Sequence, residues 1–323
     1  MKSQVRARAN IALVKYWGKV DPELNIPAVG SISITLDRLW SDTEVEFDPA
    51  LTGDTLLLDG SSRPEQLERV SRSLDLLRQR AGVDTYARVT SDNNFPTGVG
   101  LASSASGFAA LTTAAAHALQ LDLSPRELSI VARQGSGSAA RSVFGGYVEM
   151  YAGSAADGRD SFAEPLLAAD AWPLEVIIAI TGRGEKKIGS RDGMGRSAST
   201  SPYYPAWVAT SESDLSAGRD AILAHDFDAL AEIAEHSCLK MHAAAMANRP
   251  PLIYWNPATV GCMQAIAALR ASGVPVFFTI DAGPQLKAVC VPGARDTVVS
   301  ALRDVPGVID VIVSGLGPGV EIL

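Results

Sequence analysis

The sequence predicts an α+β protein of about two domains, on three grounds: its size, its composition, and the alternation of strand-like and helix-like stretches. A chain of 323 residues exceeds what most single hydrophobic cores hold. It is 47% hydrophobic and 20% charged, the balance of an ordinary globular protein. Composition shifts over residues 170–185, so we expect one lobe at 1–180 and a second at 181–323.

Taken in order, residues 4–15 alternate and then turn apolar, as an opening strand would. Residues 27–36 end in alternating Ser/Thr and Ile/Leu, a half-buried strand, and 43–60 offer two short strands around the Leu51–Asp54 turn. Gln66–Ala81 carries apolar residues at helical spacing with enough charge for a surface helix. A strand over Tyr86–Ser91 precedes a Gly/Ser segment, and Ala109–Leu119 reads as a closely packed helix of small residues. Ser124 and Pro125 have the types favoured at N-cap and N1 of a helix ending near Arg133. Leu174–Thr181 is a strand, followed by a polar loop over Glu185–Met194. Helices are expected over 202–227 and 228–246, with Ser211 or Ser213 as caps, and over Asn256–Ala271. Strands at 274–280, 286–291 and 311–314 and a helix at 294–304 complete the second half.

Lys and Arg total 28 against 36 Asp and Glu, a net charge of -8 that argues against a general nucleic-acid or anionic-membrane surface. An anionic ligand would need a local cluster of cations. Cys238, Cys262 and Cys290 are odd in number and form no CxxC pair, which predicts reduced, buried thiols. The first residues lack the apolar core of a signal peptide, and no apolar run could span a bilayer, so a cytoplasmic protein is expected. The histidines are scattered, so no metal-ligand cluster can be drawn, and a magnesium ion would have to come with a nucleotide.

Four segments carry candidate chemistry. Asn93–Gly107 combines Gly98 and Gly100 with Ser103 and Ser104 ahead of a helix. Free N–H groups and the helix dipole there can hold phosphate, or the segment is a turn that caps the helix. It is not a P-loop, because no Gly-Lys-Ser/Thr follows the glycines. Lys15-Tyr16-Trp17-Gly18-Lys19 follows the first strand, and its lysines either grip an anion or snorkel at a strand end. Gly135-Ser136-Gly137-Ser138 leads to Arg141, whose fork of donors suits a carboxylate or phosphate. Asp281 sits where an apolar strand meets Ala-Gly-Pro, as a turn initiator or as a carboxylate facing a cleft. Among cations it would stay ionised and could accept a hydroxyl proton. His242 is expected to be structural.

Five segments together resemble the mevalonate diphosphate decarboxylase family of the GHMP kinase superfamily: Asn10–Lys19, Asn93–Gly107, Gly135–Gly146, Ser190–Met194 and Phe278–Pro284. They keep the family's order and span nearly the whole chain. The resemblance implies a two-lobed GHMP-kinase-like fold with a cleft between the lobes, the N-terminal lobe binding ATP. It implies ATP- and Mg2+-dependent decarboxylation of 5-diphosphomevalonate to isopentenyl diphosphate. The alternatives are a decarboxylase of mevalonate 5-phosphate, a mevalonate-type 3-kinase, or a non-catalytic sensor on this fold. Asp281 would orient or deprotonate the C3 hydroxyl, Arg141 would hold the substrate carboxylate, and Lys15 would stabilise charge at the transferred phosphoryl group. Tyr16, Lys19, Ser138 and Arg191 would bind the substrate's phosphate end, with Ser136 and Met194 also at the substrate. Asn94, Gly98, Val99, Gly100, Leu101, Ser103, Ser104 and Ser190 would serve the nucleotide. A homodimer is likewise implied. The chain departs from the family at Ala28 and Val29, where Thr or Gln and then Asn are usual, and at Gly98 and Val99, where two alanines are commoner.

Overall fold

Two sheets, one per lobe, organise the chain in a computed structural model that describes residues 1–95, 103–184 and 188–323. The first lobe opens with β1 (Lys2–Val14), the short pair β2 (Lys19–Asp21) and β3 (Ile26–Pro27), and the long β4 (Ser31–Phe47). β5 (Thr55–Leu58) and β6 (Ser61–Ser62) precede α1 (Pro64–Ala81), β7 (Ala87–Asn93), α2 (Ser103–Ala118), α3 (Pro125–Gly135) and the one-turn α4 (Ala139–Ser142). β8 (Tyr147–Met150) and β9 (Ala163–Leu167) close this run.

β4 is the spine of the first sheet. It pairs antiparallel with β1 along most of its length, with β8 through Ser31–Ile34 and with β7 through Ser41–Phe47. α2 packs across β1 and β4. Its small side chains let it come close, and nearly all are buried. At α3 the expected cap is present in full: Ser124 Oγ accepts from Glu127 N–H while the Glu127 carboxylate accepts from Ser124 N–H.

The second sheet contains β10 (Glu175–Ile180), β11 (Val276–Ile280), β12 (Leu286–Cys290) and β13 (Asp310–Ser314), ordered β11-β12-β10-β13 and antiparallel throughout. α7 (Phe227–Met246), α8 (Pro257–Ala271) and α9 (Arg295–Arg303) pack against it, while α5 (Ser190–Thr200) and α6 (Tyr204–Leu223) pack on α7 and α6 also reaches β1, β4 and β9 of the first sheet. α7 touches both β11 and β1 and so lies where the lobes meet. β14 (Glu321–Ile322) then returns to the first sheet beside β1.

Several boundaries differ from expectation. A division at residue 180 assigns β10 to the first lobe, whereas its hydrogen bonds run to β12 and β13, and residues 321–322 belong to the first sheet. Residues 43–47 continue β4 instead of forming a separate strand, and α2 starts at Ser103, before the alanine run. The polar stretch from Ser190 is helical because Met194 and Ser197 bury against the Trp17 side of the cleft, and tertiary packing outweighs weak propensity. Ser211 and Ser213 cap nothing; they lie inside α6 and donate to the carbonyls of Trp207 and Thr210. The cap of α7 is Asp226, whose Oδ1 accepts from Ala229 N–H. All three cysteines are free and buried. Among the described residues no helix is long and apolar enough to cross a membrane.

Candidate active site

Between the lobes lies a cavity of about 180 Å³ whose walls come from β1 and the segment after it, α1, the α3–α4 loop, α5, α7 and the turn after β11. The Lys15–Lys19 segment crosses it and is fixed from behind. Ser237 Oγ accepts from Lys15 N–H at 2.9 Å, the Trp17 indole donates to Ser197 Oγ at 2.8 Å, and the Trp207 indole donates to the Trp17 carbonyl at 2.8 Å. Gly18 has φ +104, and a Cβ there would lie 2.0 Å from the Tyr204 hydroxyl, so the turn admits no side chain.

At one end of the cavity Asp281 lies between two buried lysines. Lys15 Nζ is 2.6 Å from Oδ1 and also donates to the Ala12 carbonyl at 2.8 Å. Lys287 Nζ is 3.1 Å from Oδ2. Burial alone would raise the Asp281 pKa, but Lys15 and then Lys287 outweigh it and hold the carboxyl well below the usual carboxylate range. Asp281 is therefore an anion that reaches the cavity.

Arg141, on α4, is buried yet lines the cavity. Its guanidinium donates to Ser31 Oγ at 2.7 Å and to Asn10 Oδ1 at 3.1 and 3.3 Å, while Asn10 Nδ2 donates to the Ser138 carbonyl and to Ser142 Oγ. Burial lowers its pKa to about 10, and nearby Asp281 opposes that, so it is charged at neutral pH. Among the described residues none of its hydrogen-bond partners is an anion, which leaves room for one from a ligand.

The other end is cationic. Lys19 donates to Asn25 Oδ1, and Asn25 in turn donates to the Gln134 carbonyl. Arg69, on α1, donates to the Gly135 carbonyl at 2.7 Å with its guanidinium carbon 4.2 Å above the Phe108 ring. Burial, with Arg191 and Arg69 close by, lowers the Lys19 pKa to about 8. Burial and Arg191 lower that of Arg69 to about 10. The buried Tyr16 hydroxyl has no hydrogen-bond partner among the described residues, and burial raises its pKa. A Cβ on Gly137 would lie 2.6 Å from that oxygen, so glycine is what lets the loop meet Tyr16.

The cavity thus gathers Lys15, Tyr16, Lys19, Ser104, Ser136, Ser138, Arg141, Ser190, Arg191, Met194 and Asp281 of the expected set. Ser103 opens α2 but does not line the cavity. Asn94 is not brought in either: its amide donates to the Arg38 carbonyl and accepts from Trp40 N–H, tying down the β4 edge. Gly98, Val99, Gly100 and Leu101 lie outside the described residues. Val29 is buried in the apolar cluster of Trp17, Met194 and Trp207. His242 is structural, as expected: it is buried, faces the Ile280 carbonyl at 3.2 Å, and burial pushes its pKa down to about 3. Asn10, Asn25, Arg69 and Lys287 were not among the expected site residues. The residue that could have been noticed is Lys287, a lysine inside the apolar run Leu286–Val291.

A two-lobed α+β fold with a phosphate-seeking cavity between the lobes defines a phosphoryl-transfer protein of the GHMP-kinase type. The comparisons narrow the class. Residues 7–163 match the diphosphomevalonate decarboxylase-like N-terminal domain, and residues 176–308 match the mevalonate 5-diphosphate decarboxylase C-terminal domain. The diphosphomevalonate decarboxylase ERG19 of Gibberella zeae is 34% identical over 93% of this chain and 84% of its own length. The phosphomevalonate decarboxylase of Haloferax volcanii is 33% identical over 100% of this chain and 98% of its own. The mevalonate diphosphate decarboxylase of Staphylococcus aureus superposes with TM-score 0.94 at 38% identity, covering 100% of this chain and 98% of that one. MDDEF in complex with MVAPP, AMPPCP and magnesium superposes at 0.92 with 39% identity, covering 100% and 99%. The chain belongs to the diphosphomevalonate decarboxylase family.

Proposed function

We propose that this protein catalyses the ATP-dependent decarboxylation of 5-diphosphomevalonate. The observation that carries the reading is one ionised carboxylate, Asp281, set among Lys15, Arg141 and the cations of the opposite wall in a single cavity. Its atoms balance as follows. The C3 oxygen takes the γ-phosphoryl group of ATP, its proton passes by way of the Asp281 carboxylate to solvent, and ADP leaves. The C3–O bond then breaks to release phosphate, while the electrons of the bond to the carboxyl carbon form the C2–C3 double bond. CO2 and isopentenyl diphosphate result.

Each residue has a role in this reading. Asp281 accepts the hydrogen bond of the C3 hydroxyl, and its charge favours positive character at C3 when the phosphate departs. Lys15 faces the transferred phosphoryl group, where cations and positioning supply most of the catalysis. Arg141, pre-set by Asn10 and Ser31, holds the substrate carboxylate until it leaves as CO2. Lys19, Arg69, Arg191 and the unpartnered Tyr16 hydroxyl fit the diphosphate. Ser104 and Ser190 serve the nucleotide. Magnesium, entering with ATP, neutralises charge on the phosphates. A homodimer and a cytoplasmic location belong to the same proposal; light scattering on the purified protein tests the first.

The purified protein, given magnesium and ATP, should release CO2, ADP and phosphate in equal amounts from 5-diphosphomevalonate. A parallel incubation with mevalonate 5-phosphate is the control, and the cationic wall favours the diphosphate by at least about tenfold in kcat/KM. ADP without CO2 would refute the proposal, and preference for the monophosphate would correct its substrate.

A further inference from the structure

We infer that Lys287 is a positioning residue for Asp281, the second jaw of a clamp that fixes the carboxylate from behind. The inference rests on the reading that Asp281 meets the C3 hydroxyl.

Strand pairing dictates the placement. β11 and β12 form a hairpin in which Thr279 lies opposite Lys287 and Ile280 opposite Leu286. Directly opposed side chains project to one face, and a residue two positions along points the same way. Thr279 donates to the Ala12 carbonyl, the same oxygen that accepts from Lys15 Nζ. Lys287 and the Asp281 turn are thereby directed at one point, beside the end of β1.

The burial is asymmetric. Lys287 is 1% exposed and is no part of the cavity wall, whereas Asp281 is 25% exposed and lines it. The Lys287 ammonium therefore reaches Oδ2 from the protein interior, and Lys15 reaches Oδ1. With a cation on each oxygen the carboxylate plane has little freedom to turn. The charged and titratable groups around it are Lys15 after β1, Lys287 on β12, Arg141 on α4, and Cys238 and His242 on α7. Burial keeps His242 neutral and raises the Cys238 thiol, so the cations dominate and the carboxylate stays ionised. An ammonium taken out of water at this depth is costly unless it meets an anion, and Asp281 is the anion it meets.

The test compares the parent with K287M, K287R and D281N, using the CO2 and ADP assay from low to high pH. Substrate phosphates titrate equally in all four, so differences between proteins report the enzyme. In K287M we expect kcat to fall about 10- to 100-fold with both KM values within about twofold. The acid limb of kcat/KM should move up by about one to three pH units, because one of the two cations that keep Asp281 ionised is gone. K287R should return the limb to the parent position and restore most of kcat. A K287M protein with parent kcat, or with reduced kcat and an unmoved limb, overturns the inference. If circular dichroism shows K287M unfolded, K287R decides alone: a parent limb and kcat support the clamp, and an altered limb or lost activity refutes it. Near-parent turnover in D281N would instead sink the role of Asp281 itself, whatever Lys287 does.

Discussion

Replacing Asp281 by Asn keeps the shape of the side chain and removes the anion that Lys15 and Lys287, both 1% exposed, share. Two effects follow and can be measured separately. If Asp281 acts at C3 as proposed, kcat should fall about 10²- to 10⁴-fold while nucleotide affinity is largely kept. Losing one partner of a buried ion pair also leaves uncompensated charge, typically about 3–5 kcal/mol, or a fall of about 6–20 °C in Tm for a protein of this scale. The pH dependence carries a sign. Burial already lowers the folded-state pKa of Lys287 below its ordinary value, and loss of the opposing Asp281 charge lowers it further, so the unfolded chain holds more protons. Stability then rises with pH between the two values. The Tm gap between D281N and the parent should therefore narrow when melting is repeated at about pH 9.5 in place of about pH 7. A gap that is absent, or constant across that range, would refute the electrostatic account. Turnover near the parent's would refute the catalytic one.

Two further outcomes are expected. Lys19 has a pKa lowered to about 8 in the free protein, so kcat/KM for the anionic substrate should fall as pH rises through that value. K19M should lack this alkaline limb, and a K19M profile that keeps it would reassign the group. In Gly137→Ala the added Cβ would sit 2.6 Å from the Tyr16 hydroxyl, so the ring must shift. KM for diphosphomevalonate should then rise about tenfold with that for ATP within about twofold, read from initial rates at varied substrate.

Much of this was legible in the sequence because the residues concerned break local rules. Two lysines around Tyr-Trp-Gly, an arginine closing a Gly/Ser run and an Asp before Ala-Gly-Pro have no ready explanation in packing, and all of them reach the cavity. Arg69 was hidden because it sits in α1 among many other charges, where one cation turned inward over Phe108 has no local signature. Asn25 was hidden in a turn, its backbone at φ 52 and its amide buried. Asn94 shows the converse, a motif residue beside a Gly/Ser loop whose amide bonds the backbone of β4. Lobe membership failed for β10 because a buried apolar strand is equally suited to either sheet. Only its hydrogen-bond partners decide.

The return of residues 317–322 to the first sheet has a consequence for how the protein is made. Gly317 bridges Thr35 and Gly146, Glu321 and Ile322 pair with Arg6 and Val5, and Glu321 meets Arg8 at 3.0 Å. More than 300 positions of chain therefore separate the two sides of one strand ladder. A ribosome releasing the first lobe exposes the edge of β1 until the second lobe has been synthesised, and such long-range closure is slow. Cutting the chain between the sheets would give an N-terminal piece with an open, pairing-competent edge. The two lobes are stitched into one folding unit.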